Sequence, residues 1–180
     1  MKNRFITLVR HAKSSWKIAG QSDHDRELSG RGKRDAPIMA DRLVARNCIP
    51  DLILCSSAVR TQQTARVLLD AFGMDGDSMR LSRHLYLCSP ETLLEQLASV
   101  EESYWHVMII GHNPGLEDLS TLMSPLCNPE MPTLGIRHFR CASFNHLPIG
   151  KQFDESDGDQ ALPAAQKIEL IFEDFPKNDQ

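Results

Sequence analysis

Apolar residues in this 180-residue chain gather in short runs set between longer mixed stretches. Residues 5–9 (Phe-Ile-Thr-Leu-Val), 52–55 (Leu-Ile-Leu-Cys) and 107–110 (Val-Met-Ile-Ile) are too short for buried helices, and their apolar, partly β-branched content predicts buried strands. The mixed stretches predict helices over 30–46, 58–72, 90–100 (with Ser89 as its cap) and 115–123. Residues 124–132 hold three prolines and predict a loop. Two later apolar runs, 138–145 and 167–172, predict further strands. Strand and helix alternate with no internal repeat. The expectation is an α/β fold, a three-layer sandwich with a mostly parallel sheet and helices on both faces.

Open sheets of that kind hold their chemistry at the carboxyl ends of the strands. The first predicted strand ends in Leu8-Val9-Arg10-His11-Ala12, which puts Arg10 and His11 at that edge. Arginine is a permanent cation that grips oxyanions through two N–H groups. Histidine is a nucleophile or proton carrier near neutral pH. The pair points to phosphate chemistry, with His11 owning the reacting atom. Arg83-His84 and Arg137-His138 repeat the dipeptide elsewhere, so its weight rests on the other segments.

The second strand leads into Ser56-Ser57-Ala58-Val59-Arg60-Thr61-Gln62-Gln63-Thr64-Ala65. Ser56 or Ser57 is suited to cap a helix from Ala58. Arg60 then falls in the first turn, where a cation opposes the helix dipole at a cost of ~0.3–1 kcal/mol. Solvent or a carboxylate partner would offset that cost, and so would an anion bound at the turn. The third strand leads into Gly111-His112-Asn113-Pro114-Gly115-Leu116-Glu117-Asp118. Asn113 suits an N-cap and Pro114 the first helical position. His112 lies at this third turn, beside backbone N–H groups that attract anions, although packing or capping would also place a histidine there.

Three strand ends thus present Arg10 with His11, Arg60, and His112. No HxxxH pair, CxxC or carboxylate cluster surrounds these histidines, so no metal or other cofactor is expected. Ser29-Gly30-Arg31-Gly32-Lys33-Arg34 lacks Walker spacing and opens a basic helix towards Arg46.

These segments together resemble the histidine phosphatase superfamily, in its small phosphohistidine phosphatase (SixA-like) branch. The matching residues are Arg10-His11-Ala12-Lys13-Ser14-Ser15-Trp16, Asp25-Arg26-Glu27-Leu28-Ser29-Gly30-Arg31-Gly32-Lys33-Arg34-Asp35-Ala36, Ser56 to Ala65 as quoted above, Leu85-Tyr86-Leu87, and Gly111 to Glu117. They follow the family's order over about residues 4–120. The resemblance implies a phosphoglycerate mutase-like fold, His11 as nucleophile, and Arg10, Arg60 and His112 completing the phosphate pocket. Ala12 departs from the glycine usual in the superfamily.

Composition narrows the picture further. Hydrophobic residues make up 41% and charged residues 24%, which is ordinary for one globular domain spanning 1–180. No apolar stretch is long enough to cross a membrane, and the N-terminus lacks a signal-peptide pattern. Cysteines at 48, 55, 88, 127 and 141 form no disulfide framework, so a cytoplasmic location is expected. Residues 1–66 carry 13 Lys/Arg against 6 Asp/Glu, which favours an anionic substrate near the proposed pocket. The overall charge of −4, with no aromatics among the basic run, argues against nucleic acid. An acidic stretch near 150–160 reads as an exposed loop.

The implied reaction is attack by neutral His11 on phosphorus, followed by hydrolysis of the phosphohistidine. A general acid is not evident: residues 84–89 lack a carboxylate, and Asp23 and Asp25, in the loop after His11, equally suit turn or capping roles. That favours a labile P–N bond and a phosphorylated protein as substrate, which the absence of room for a large helical lid also favours. A small phosphorylated metabolite and a non-catalytic phosphate-binding module are the alternatives.

Overall fold

A computed structural model describes residues 3–145, 147 and 168–176; the acidic stretch expected as a loop near 150–160 lies outside the described residues. Its strands are β1 (Arg4–Arg10), β2 (Leu52–Ser56), β3 (Met79–Ser82), β4 (His106–Gly111), β5 (Ile136–Cys141) and β6 (Glu169–Asp174). They form one sheet in the order β3-β2-β4-β1-β5-β6. β1, β2, β3 and β4 run parallel, and β5 runs antiparallel to both β1 and β6. The α/β expectation holds, with a mostly parallel sheet.

Helices α1 (Gly30–Ala45) and α2 (Val59–Phe72) cover one face; α3 (Pro90–Ala98) and α4 (Gly115–Met123) cover the other. Alternation along β1 sorts the two cores. Ile6 and Leu8 pack with Leu93, Leu97, Leu116 and Leu119. Val9 points the other way, towards Met39, Leu43 and Leu68. β2 and β4 are buried along their whole length, which is why their sequences read as unbroken apolar runs. Burying each such Leu or Ile contributes about 1.5–3 kcal/mol.

Two glycines let helix starts press against neighbouring loops. A Cβ on Gly32 would lie 2.2 Å from the Lys13 carbonyl oxygen, and one on Gly115 2.2 Å from that of Cys88. Side chains larger than hydrogen would push α1 and α4 away from the sheet edge that carries Arg10, His11 and His112.

The structure corrects the sequence expectations at several points. β3 was not foreseen: it is a four-residue edge strand paired to β2 alone, half exposed and carrying Arg80. An edge strand needs no apolar run. β5 and β6 are displaced from the expected 138–145 and 167–172. Ser29 and Ser89 cap α1 and α3, but neither Ser56 nor Ser57 caps α2, where Ala58 holds the N-cap position without a side-chain bond. The Ser56 hydroxyl is taken by His112 and the Ser57 hydroxyl by His24. At α4, Pro114 is the N-cap and Gly115 the first helical residue. Asn113 instead donates to Glu117 and to the Met131 carbonyl.

Candidate active site

The strand order β2-β4-β1 makes the three anticipated strand ends immediate neighbours. Parallel strands about 4.8 Å apart deliver their C-terminal residues to one place. The His11 and His112 ring centroids are accordingly 5.2 Å apart.

His11 is buried and held in one tautomer. Its Nδ1–H donates to the Ala12 carbonyl (2.7 Å), and its Nε2 accepts from Arg60 Nε (3.2 Å). Nε2 therefore carries the lone pair. Burial pushes the His11 imidazole down to about 4; the charges of Arg60, Arg10 and Arg26 reinforce burial against the opposing Ala12 hydrogen bond. The ring is neutral at physiological pH.

Arg60 is buried although it sits in the first turn of α2. It donates to His11, to His112 Nδ1 (3.3 Å), to the Asp23 carbonyl and to Asp23 Oδ2 (2.9 Å). Of the readings of Arg60 from sequence, the carboxylate pairing is met by Asp23, and the guanidinium also faces the His11 imidazole. The Thr64 hydroxyl accepts from Ala12 N–H (3.1 Å) and donates to the Arg60 carbonyl (2.7 Å), which ties the β1 end to α2.

His112 accepts from Arg60 at Nδ1, so its Nε2–H donates to the Ser56 hydroxyl (2.8 Å). Burial, the adjoining His11 and Arg60 push it down to about 3. Arg10 donates to the Met131 carbonyl (2.7 Å). Its guanidinium is held below its usual range by burial, partly offset by Glu117. Its Nε is buried with no hydrogen-bond partner among the described residues.

Two further groups escaped sequence reasoning. Arg26 is buried, stacks under Trp16 with its guanidinium 3.4 Å from the ring centroid, and extends its charge to His11. Its Nε lies 3.0 Å from Asp23 Oδ1, but off the line of a hydrogen bond, so Nε and NH1 are both unfilled donors among the described residues. Tyr86 donates to Asp23 Oδ2 (2.6 Å) and sets its ring edge-on to His112. Both residues lie in the family-like segments, yet no spacing marks them, because their contacts form only in the tertiary fold.

The two aspartates separate. Asp23 is bonded to Arg60 and Tyr86 and paired with Arg26. Burial raises its carboxyl, but the Tyr86 hydrogen bond and the two arginines outweigh burial and hold it below the usual range. Asp25 is exposed and tied to Ser22 and His24. Unfilled guanidinium N–H groups around a neutral imidazole lone pair can hold a tetrahedral oxyanion against a nucleophile.

Comparison with known proteins places this geometry in context. The model of the histidine phosphatase superfamily (branch 1) matches residues 6–83. The uncharacterized protein Rv1276c of Mycobacterium tuberculosis is 31% identical over 144 residues, covering 74% of this chain and 87% of that protein. A solved structure from Agrobacterium tumefaciens, provisionally named phosphohistidine phosphatase SixA, is 28% identical with a TM-score of 0.74, covering 98% of this chain and 100% of that one. A structure of the protein histidine phosphatase SixA complexed with tungstate shares the fold, with a TM-score of 0.70 at 19% identity over 94% of this chain and 95% of that one.

Proposed function

This chain belongs to the histidine phosphatase superfamily and is a phosphatase, and we propose that it removes phosphate from phosphohistidine on proteins through a covalent intermediate on His11, without a metal ion. The observation that carries this reading is the His11 Nε2 lone pair, left unprotonated by the Ala12 bond and held against the Arg60 Nε–H. Nε2 attacks phosphorus in line with the leaving nitrogen. The P–Nε2 bond forms as the substrate P–N bond breaks, and the substrate imidazole leaves with the bonding pair and takes a proton from solvent. Water then attacks phosphorus, the P–Nε2 bond breaks, and phosphate departs. Arg10, Arg26 and Arg60 supply positioned charge to the non-bridging oxygens, which stabilises the transition state, and the neutral His112 ring completes the pocket.

Asp23 supports the substrate class. Held below the usual range, its carboxyl is ionised at neutral pH and has no proton for an alkoxide leaving group. A missing acid costs ~10²–10⁴-fold when the leaving group is poor. It costs little when an imidazole leaves, because that nitrogen is protonated readily. An ionised carboxylate beside the cage also suits the second step, in which water loses a proton. The SixA name of the Agrobacterium relative agrees with this class, and the bound tungstate of another SixA is an oxyanion of phosphate shape. All five cysteines are free thiols, and no helix among the described residues is long and apolar enough to cross a membrane; both facts support a cytoplasmic site of action.

A parallel kcat/KM assay of phosphohistidine protein, sugar phosphates and nucleotides, run in chelator, tests this. Phosphohistidine protein should be the best substrate, with acid-labile, alkali-stable label trapped on His11. A better sugar phosphate or nucleotide would establish the metabolite phosphatase instead. Activity lost in chelator and restored by a divalent ion would overturn the metal-free mechanism.

A further inference from the structure

A second polar cluster lies at the other end of the sheet, beneath the α1–α2 face. Cys48 follows α1, His106 opens β4, and His138 lies on β5 opposite Thr7 of β1. All four residues are buried. The sulfur of Cys48 and ring nitrogens of His106 and His138 all lie within 4.8 Å of one another. The phosphatase chemistry uses none of them. We propose that Cys48, His106 and His138 form a binding site for a zinc-class cation, separate from the phosphate pocket.

The ligand chemistry fits. One thiolate and two imidazoles are donors of the type that zinc takes in tetrahedral sites, where a fourth position is open to a hydroxyl or water. His106 is oriented as a zinc ligand is: its Nδ1–H donates to the Ile49 carbonyl (3.0 Å), which turns the Nε2 lone pair into the cluster. His138 presents Nδ1, and its ring is stacked between Phe5 and Phe172. Cys48 Sγ lies 3.4 Å from His138 Nδ1. Zinc bond lengths of ~2.3 Å to sulfur and ~2.0 Å to nitrogen give a tetrahedral S···N edge near ~3.5 Å. The wider separations within the cluster close by about 1 Å on binding.

The Thr7 hydroxyl is the present common partner, 2.7 Å from His106 Nε2 and 2.8 Å from His138 Nδ1. It has one proton for two imidazoles, so His138 must donate at Nδ1 when no cation is bound. A cation replaces that arrangement with three converging lone pairs. His138 moves its proton to Nε2, and the Cys48 thiol releases one proton to solvent. At mildly alkaline pH an imidazole is neutral, so the thiol proton is the one released. His106 and His138 each keep a small residual exposure.

Cobalt(II) titration of the chelator-stripped full chain, followed by zinc competition, tests the site. One equivalent of cobalt should release one proton and give a thiolate-to-cobalt charge-transfer band, which one equivalent of zinc should bleach with no further proton release. The band should vanish in Cys48→Ala and Cys48→Val and persist in Cys88→Ala and His11→Ala. Unchanged phosphatase activity in the Cys48 variants would certify their fold, and proton release in the unmodified chain needs no variant. Absence of the band, its loss in Cys88→Ala, or its persistence in both Cys48 variants would overturn the proposal.

Discussion

Two buried histidine pairs flank the strand β4, and they differ in almost nothing that concerns the rings. His11 and His112 lie beyond its carboxyl end; His106 opens it, with His138 alongside. Ring centroids are 5.2 Å apart in both pairs. Burial is the main cause that pushes His11, His106 and His138 down to about 4 and His112 to about 3. The neighbours differ. The first pair faces Arg10, Arg26 and Arg60, with unfilled N–H groups on two of them. The second faces a threonine hydroxyl, a thiol and two phenylalanine rings. A depressed imidazole pKa therefore does not mark a phosphate site. Under the proposed function, the distinguishing feature is unsatisfied guanidinium donors beside a correctly oriented lone pair. Cationic neighbours suit an anion, and neutral lone pairs suit a cation.

The largest expected difference between the pairs is chemical. His11→Ala should abolish turnover and the phosphohistidine label, a loss on the order of 10⁶-fold in kcat as for other nucleophile deletions. His138→Phe, which keeps a ring between Phe5 and Phe172, should retain both turnover and label. Rapid-quench labelling with a radioactive substrate distinguishes them, and a label on His106 or His138 would invert the comparison.

Arg60→Lys sharpens it next. Lysine keeps the charge but loses the planar fork that now reaches His11, His112 and Asp23 together. A fall of ~10²-fold in kcat/KM is expected, about 3 kcal/mol of transition-state stabilisation. Wild-type kinetics in this variant would reduce Arg60 to a structural partner of Asp23.

Stability against pH should treat the pairs alike. Above pH 6.5 these imidazoles are neutral in folded and unfolded chains. Between 6.5 and about 4 the unfolded chain binds protons that the folded chain refuses, so stability falls as pH falls. Each histidine contributes at most about 1.4 kcal/mol per pH unit to that slope. Denaturant melts from pH 7 to pH 4 should show a shallower slope for His138→Phe and for His11→Ala. A slope unchanged in both would remove burial as the shared cause.

The smallest effect concerns the aspartates. Asp23→Asn loosens Arg60 and Arg26 and should lower phosphohistidine turnover by ~10-fold, about 1.4 kcal/mol. Asp25→Asn should leave kcat/KM unchanged, because its carboxylate is exposed and, among the described residues, bonds Ser22 and His24. Equal losses would mean that Asp25 reaches the pocket in the working enzyme.

The sequence by itself determined the alternation of buried strands and amphipathic helices, because central parallel strands must be apolar on both faces. It also singled out Arg10, His11 and His112, which lie at the ends of apolar runs, and Arg60, in the first helical turn after one, since strand ends converge in any such sheet. It did not determine β3, whose edge position needs no apolar pattern, nor the caps of α2 and α4, where Ser56 and Asn113 make longer-range bonds. Arg26, Asp23 and Tyr86 became a unit only when the loop after β1 folded across α2 and the turn beyond β3. Cys48, His106 and His138 stand 58 and 32 residues apart in the chain, and their meeting depends on the order β4-β1-β5. Local spacing records which face a side chain takes within its own element. Which elements become neighbours is decided by packing of the whole sheet, and that packing is where both clusters acquire the neighbours that distinguish them.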